Sequence, residues 1–241
     1  MATTTADPLY AADAYLREAP GTVVSVSESG IVLDRSLFYA TGGGQPGDGG
    51  RLDWVGGSCT VLTAEKGEGG IVLVPAGGED LPPVGTPVVQ KLDWDRRHAH
   101  MRVHTCLHLL SVVLPFPVSG GSIAADKGRL DFAMETPPSD KEALQAELQA
   151  LIDRDLAVTE RWITEAELDA NPGLVKTMSV APPRGAGRVR LVRIGDEDTQ
   201  VDLQPCGGTH VARTSQIGRI RIGKIEKKGR QNRRVYVHLD G

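Results

Sequence analysis

His104-Thr105-Cys106-Leu107-His108 sets two imidazoles four residues apart. On a helix that spacing projects both rings from one face, one turn from each other, where they can grip one cation. Far downstream, Cys206-Gly207-Gly208-Thr209-His210 offers a thiol and an imidazole at the same spacing. Three imidazoles and a thiolate form a donor set that suits zinc. Each pair alone is a weak pattern, and both in one chain favour a metal site. Four protein ligands can close the tetrahedron of a structural zinc, whereas chemistry at the ion needs an open or displaceable position. The spacing leaves both arrangements open. Cys106 lies two residues from each histidine, which on a helix turns it to the other side, as a packed thiol.

The elements that must position these pairs follow from periodicity. Arg96 to Leu114 holds no Gly or Pro, and Val103, Leu107, Leu110 and Leu114 form an apolar stripe at helical spacing. His104 and His108 lie about 100° around from that stripe, beside the core, as the floor of a pocket. Pro115 ends the helix. Upstream, Thr22–Val26 and Ile31–Leu33 read as a hairpin turning at Ser29-Gly30. Arg51–Val55, Cys59–Leu62, Ile71–Val74 and Val84–Leu92 read as further short strands between glycine turns. Many short strands so punctuated predict a small barrel or sandwich up to about residue 92.

Downstream of the histidines, Gly120-Gly121-Ser122-Ile123 reads as a turn and Arg129–Phe132 as a strand. Ser139 with Glu142 forms a capping box opening a helix whose apolar face is Leu144, Leu148, Leu151, Ile152 and Leu156. Val158–Ile163 is a strand. Thr164 with Glu167 caps a short helix that stops before Pro172, and Pro182–Gly187 is a loop. Val189–Ile194, Ile217–Ile225 and Arg233–Leu239 complete the strands. The expected fold class is therefore α+β: a small N-terminal β-barrel, residues 1–94, followed by an α+β two-layer domain, residues 95–241, that binds the metal.

Composition narrows the class. The start of the chain has neither a basic nor an apolar leader region, so no signal peptide is expected. The most apolar run, 107–118, is broken by His108, Ser111, Pro115 and Pro117 and cannot span a membrane. Three widely spaced cysteines argue against a disulfide framework and for a reducing cytoplasm. The net charge of −4 disfavours a general nucleic-acid binder, yet residues 213–241 carry nine basic side chains against two acidic ones. Such a face can hold phosphates on a protein that is acidic overall, although the charge taken alone is better read as a solvated strand-and-turn surface. The glycines of Gly42–Gly50 supply cheap positive φ for a turn, and they also allow a backbone to approach a ligand closely, with Gln45 offering a donor and an acceptor.

Together these motifs resemble a known family. His104-Thr105-x-x-His108-Leu109-Leu110 followed by Asp202-x-x-Pro205-Cys206-Gly207-Gly208-Thr209-His210-Val211 is similar to the zinc-binding editing domain of alanyl-tRNA synthetase. Phe38-Tyr39-x-x-Gly42-Gly43-Gly44-Gln45-Pro46-x-Asp48-x-Gly50 resembles the glycine-rich motif that precedes that domain, and Lys228–Val235 fits its end. Ala40-Thr41 departs from the acidic and proline residues common before the glycines. The likeness spans about Leu9 to Leu239 and leaves no room for an aminoacylation domain, so it points to the free-standing AlaX editing proteins of medium length. The Gly-Gly-Thr-His core separates it from the related threonyl-tRNA synthetase editing domain.

The resemblance implies deacylation in trans of mischarged tRNA(Ala), chiefly Ser-tRNA(Ala) and also Gly-tRNA(Ala). It implies one Zn2+ per chain on His104, His108, Cys206 and His210. The ion would orient the ester through the α-amino group or acidify a water. Gln45 and Thr105 are the candidates for reading the serine hydroxyl. Gly43, Gly44 and Gln45, with Lys228, Arg230, Arg233 and Arg234, are the candidates for contact with the substrate and the acceptor end of the tRNA. The expected protein is a cytoplasmic monomer. Two rivals stand beside this reading: a non-catalytic tRNA-binding module with structural zinc, and a hydrolase of another aminoacyl-tRNA or acylated small molecule.

Overall fold

The computed structural model describes residues 7–176 and 187–240. It divides into two compact units, one ending at His98 and the other beginning at Ala99.

The first unit is a closed six-stranded barrel. Its strands are β2 (Glu18–Ser27), β3 (Gly30–Leu33), β5 (Gly50–Trp54), β6 (Gly57–Gly67), β7 (Gly70–Pro75) and β8 (Pro87–Leu92), in the order β2-β3-β7-β6-β5-β8. A two-residue β1 (Asp7–Pro8) pairs in parallel with β4 (Arg35–Ser36) outside it. Closure follows from β8, which pairs with both β2 and β5 and so leaves no free edge. Val23, Ile31, Leu33, Leu52, Cys59, Val61, Leu73 and Val88 fill the interior, joined by Leu37 and Phe38 from the segment after β4. The expected strand from Val84 begins only at Pro87, because residues 84–86 form the turn before it.

Helix α1 (Trp94–Val113) starts where Asp93 accepts the Arg96 N–H through Oδ1 at 3.1 Å, an N-cap ahead of an acidic first turn. From Val103 to Ser111 every residue is buried. The apolar stripe is therefore real but does not describe the helix, which is covered on more than one side. Val103 and Leu107 face β10 (Lys127–Ala133), where a Cβ on Gly128 would meet Val103 Cγ1 at 2.6 Å, so only glycine permits the approach. The histidine side faces β13 (Asp202–Pro205).

The second unit holds two antiparallel sheets. One has the order β14-β15-β10-β9, from β9 (Val118–Ile123), β10, β14 (Arg219–Gly229) and β15 (Asn232–Asp240). Its β14 edge is covered by α2 (Lys141–Asp153), whose Gln149 and Gln145 side chains accept the Ile220 and Ile222 N–H groups. The other sheet is β11 (Val158–Thr164), β12 (Arg188–Ile194) and β13, in that order. The chain is thus α+β with an N-terminal barrel, as its periodicity predicts.

Three local expectations change. Gly120 and Gly121 lie inside strand β9, paired with Asp131 and Leu130, because backbone pairing to β10 overrides their turn preference. The cap of α2 is Asp140, which accepts from Ala143 N at 2.8 Å, and not Ser139: a carboxylate is a strong acceptor at the positive end of a helix. Ile217 closes a 3-10 turn, Thr214–Ile217, and β14 begins after it. The Thr164–Glu167 capping box of α3 (Glu165–Ala170) is present in full. Of the expected Pro182–Gly187 loop, residues 182–186 lie outside the described residues.

Candidate metal centre

α1 carries His104 and His108 one turn apart. Cys206 continues directly from β13, and His210 follows in the loop after it. The four side chains converge: one ligand atom from each lies within 4.8 Å of the others. Cys206 Sγ is 3.4 Å from His104 Nε2 and 3.3 Å from His210 Nε2. The edges of a tetrahedron built from three ordinary Zn–N bonds and one Zn–S bond are roughly 3.3–3.6 Å, and the two sulfur–nitrogen distances match them. Every converging atom is electron-rich, and a cation is what such a set lacks. This group could hold a metal ion.

The outer partners fix how the rings present themselves. His108 Nδ1 donates to Asp202 Oδ2 at 3.0 Å, leaving Nε2 as its lone-pair nitrogen. Asp202 is buried and also accepts from Lys176 Nζ and from Gln204 Nε2. Thr105, fully buried, donates to Met101 O at 3.0 Å and accepts from Val211 N at 3.2 Å. Its oxygen lies 3.1 Å from His210 Nδ1, so that nitrogen carries a proton and Nε2 faces the thiol. The Thr105 hydroxyl has no donor left to read a substrate hydroxyl. Of the two residues expected to read the serine hydroxyl, Thr105 stands behind His210.

Asp202 and Gln204 alternate along β13, and Cys206, whose N–H continues the pairing to Arg190 O, extends the same face. Period-two spacing back from Cys206 is the signal that finds Asp202 and Gln204, whose roles the motif alone does not reveal. Arg190 on β12 holds the ligand loop: Nη1 donates to Cys206 O at 2.9 Å and to Gly208 O at 2.8 Å, while Nη2 pairs with Glu160.

Electrostatics follow from the packing. Burial alone raises the Cys206 thiol, but the His104 and His210 imidazoles beside it outweigh this and hold it well below the usual thiol range. Burial lowers His108, yet its hydrogen bonds, first to Asp202, raise it to about 9. Burial and the neighbouring His104 charge keep His210 well below the usual imidazole range. Cys106, by contrast, is wholly buried away from the cluster and is pushed up to about 12. All three cysteines are free.

The other candidates lie elsewhere. Gly42 and Gln45 exchange both backbone hydrogen bonds, with Gly43 at φ 58° and Gly44 at φ 84° between them. That is a tight turn needing positive φ twice, and it accounts for both glycines. The Gln45 side chain is buried in the first unit. In the basic hairpin, Arg233 donates to the carbonyls of Gly229, Asn232 and Glu135, and Arg234 pairs with both oxygens of Asp131. These two arginines build the β14–β15 hairpin. Lys227, Lys228 and Arg230 stand exposed near its tip, Lys228 beside Glu226.

An α+β unit carrying this quartet is of the kind appended to certain aminoacyl-tRNA synthetases. The family described as the threonyl and alanyl tRNA synthetase second additional domain matches residues 189–236, and that of class II (A) tRNA synthetases matches residues 13–96. The chain is 34% identical to the alanyl-tRNA editing protein AlaX-M of Methanosarcina mazei, over 97% of this chain and 96% of that one. It is 31% identical to AlaX-M of Saccharolobus solfataricus, over 95% and 97%. The alanine–tRNA ligase of Pyrobaculum calidifontis is 36% identical over 91% of this chain, which spans only 25% of the ligase. The chain belongs to the AlaX-M family of alanyl-tRNA editing proteins. Among the described residues, no helix is long and apolar enough to cross a membrane.

Proposed function

We propose that this protein is a zinc-dependent aminoacyl-tRNA deacylase that hydrolyses mischarged tRNA(Ala) in trans, chiefly Ser-tRNA(Ala) and also Gly-tRNA(Ala). The convergence of His104, His108, Cys206 and His210, in a chain aligned end to end with editing proteins, carries the reading. The bond cut is the ester between the amino acid and the terminal ribose. Water supplies the hydroxyl of the released acid, and the ribose oxygen leaves with a proton. Zinc bound by the quartet would supply Lewis-acid polarisation and orientation at that ester.

The protein's own part is preorganisation. Asp202 holds the His108 ring and Thr105 the His210 ring through Nδ1, which keeps each Nε2 for the ion. Arg190 pins the loop that carries Cys206 by two of its carbonyls. Lys227, Lys228 and Arg230 offer charge to the RNA backbone, with Arg233 and Arg234 keeping their hairpin rigid. Gln45 is the remaining candidate for reading the serine hydroxyl. A site built to bond that hydroxyl rejects alanine, because its own polar groups would go unpaired.

One observation favours a second reading. Four side chains suffice to close a tetrahedral zinc, as in a non-catalytic tRNA-binding module. A panel of Ser-, Gly- and Ala-tRNA(Ala), with other aminoacyl-tRNAs, assayed with wild type, Cys206→Ala and Gln45→Ala, separates the two. The deacylase reading expects Ser-tRNA(Ala) to be cleaved far faster than Ala-tRNA(Ala), loss of turnover in Cys206→Ala and a narrowed preference in Gln45→Ala. Tight binding of tRNA without release of any amino acid would establish the module instead.

A further inference from the structure

The three-stranded sheet places an exposed aromatic residue in line with a ligand of the metal centre. Trp162 on β11 is directly opposite Arg190 on β12. Arg190 O in turn accepts the Cys206 N–H at 3.2 Å, continuing the Leu191–Pro205 register by one step. Trp162, Arg190 and Cys206 therefore form one row across the sheet, and residues opposite one another in an antiparallel sheet project from the same face. Two strand spacings put the Trp162 backbone about 10 Å from that of Cys206. The other face of β11 and β12 is closed by the cluster of Ile163, Val189, Leu191 and Leu168.

On the row's face the two ends differ. At β13, Gln204 and Asp202 lie against α1. At the β11 edge Trp162 remains 46% exposed. Arg188 lies over its ring, with the guanidinium carbon 4.8 Å from the centroid. A guanidinium on an indole orients the ring and leaves positive charge beside it. Glu160, two residues from Trp162 on the same face, is paired with Arg190.

We propose that Trp162, with Arg188, is the shelf on which the base of the substrate's terminal nucleoside stacks while its ribose ester lies at the metal centre. This rests on the deacylase reading given above. An ester on a terminal ribose must bring its own base within a nucleoside's length, and the Trp162–Cys206 row provides a π-surface at that reach. Stacking is indifferent to which base pairs are formed elsewhere, and the neighbouring Arg188 suits the adjoining phosphate. The occupant is therefore the unpaired 3′ end of an RNA.

The test compares wild type, Trp162→Ala and Trp162→Phe. Loss of a base–aromatic stack costs roughly 5- to 100-fold in binding. Trp162→Ala should raise KM for Ser-tRNA(Ala) by that factor with kcat within about twofold, since a stack is made in ground and transition states alike. Trp162→Phe, which keeps a ring, should recover most of the loss. In parallel, the trinucleotide CCA should quench the intrinsic fluorescence of wild type and leave Trp162→Phe unquenched. Unchanged KM in Trp162→Ala, or equal quenching in Trp162→Phe, overturns the shelf and leaves this face to some other partner, such as a protein. If wild type deacylates no aminoacyl-tRNA, the deacylase reading fails. CCA quenching then decides the shelf alone: quenching lost in Trp162→Phe supports it, and no quenching in wild type refutes it.

Discussion

Each unit buries a polar cluster, and the two clusters are satisfied in opposite ways. In the barrel unit, the fully buried Arg97 donates to Asp48 Oδ2 through Nε and Nη2, to Ala14 O through Nη1 and to Leu37 O through Nη2. Gln90 beside it accepts from Leu37 N and donates to Pro20 O and Arg35 O. The donors of Arg97 there all meet acceptors and positive charge meets negative, with Asp48 Oδ1 left without a hydrogen bond. In the second unit, three imidazoles and a thiol bring nitrogen and sulfur ligand atoms together at one point. The ring N–H groups point away from it, His108 Nδ1 donating to Asp202 and His210 Nδ1 to Thr105. A self-complementary cluster locks a fold; a cluster of one electronic kind asks for a cation. Burial alone does not distinguish structure from site, whereas the sign of what is buried does.

The comparison breaks most visibly at the thiol. Cys206→Ala should abolish stoichiometric zinc, read by elemental analysis of dialysed protein, and lower deacylation on the order of a hundredfold or more. Full activity in the zinc-free variant would end the metal reading, and retention of one tightly held zinc would remove Cys206 from the ligand set. Next in size, Arg97→Met should cost about 3–5 kcal/mol in urea unfolding, because it strands the Asp48 charge in the interior. Its metal content should be unchanged. Pairing it with Asp48→Leu should restore part of that stability, since the loss comes from an unpaired charge.

A smaller effect sharpens the role of the outer partners. Asp202→Asn should weaken zinc about 10–100-fold in a chelator competition and leave the barrel's unfolding midpoint alone. An affinity equal to wild type would mean that His108 is oriented by packing only. The smallest effect concerns pH at Asp131. Burial raises this carboxyl, but the hydrogen bonds of Arg234 and Arg129 outweigh that and hold it below the usual range. The folded state thus binds its proton later than the unfolded chain. The stabilisation is present above about pH 4 and is lost as pH falls through the folded pKa. Its size should be small, as for other partly exposed ion pairs, and Asp131→Asn should remove that part of the acid slope in unfolding experiments.

Local pattern made much of this protein legible. The two ligand pairs, the glycine-punctuated strands that close as a barrel, the helix over Arg96–Leu114 and the Thr164–Glu167 cap all rest on spacings within a few residues, which the chain states directly. The α+β class follows from those periods. Helix ends were less legible: Ser139 and Asp140 are both good caps, and only the hydrogen bond to Ala143 chooses between them.

Tertiary structure decided what depends on register and on neighbours remote in the chain. Thr105 belongs behind His210 because the loop after β13 returns to α1. Arg233 and Arg234, basic residues in a basic stretch, are held by Glu135 O and Asp131 across β10. Trp162 and Cys206 share a row only because Arg190 pairs with both, and a slip of one residue would turn the indole to the opposite face. Residue type and spacing name the chemistry a side chain can do. Which of those side chains reach the metal ligands, which brace them and which face solvent is set by pairings between elements remote in the chain, and no local period encodes them.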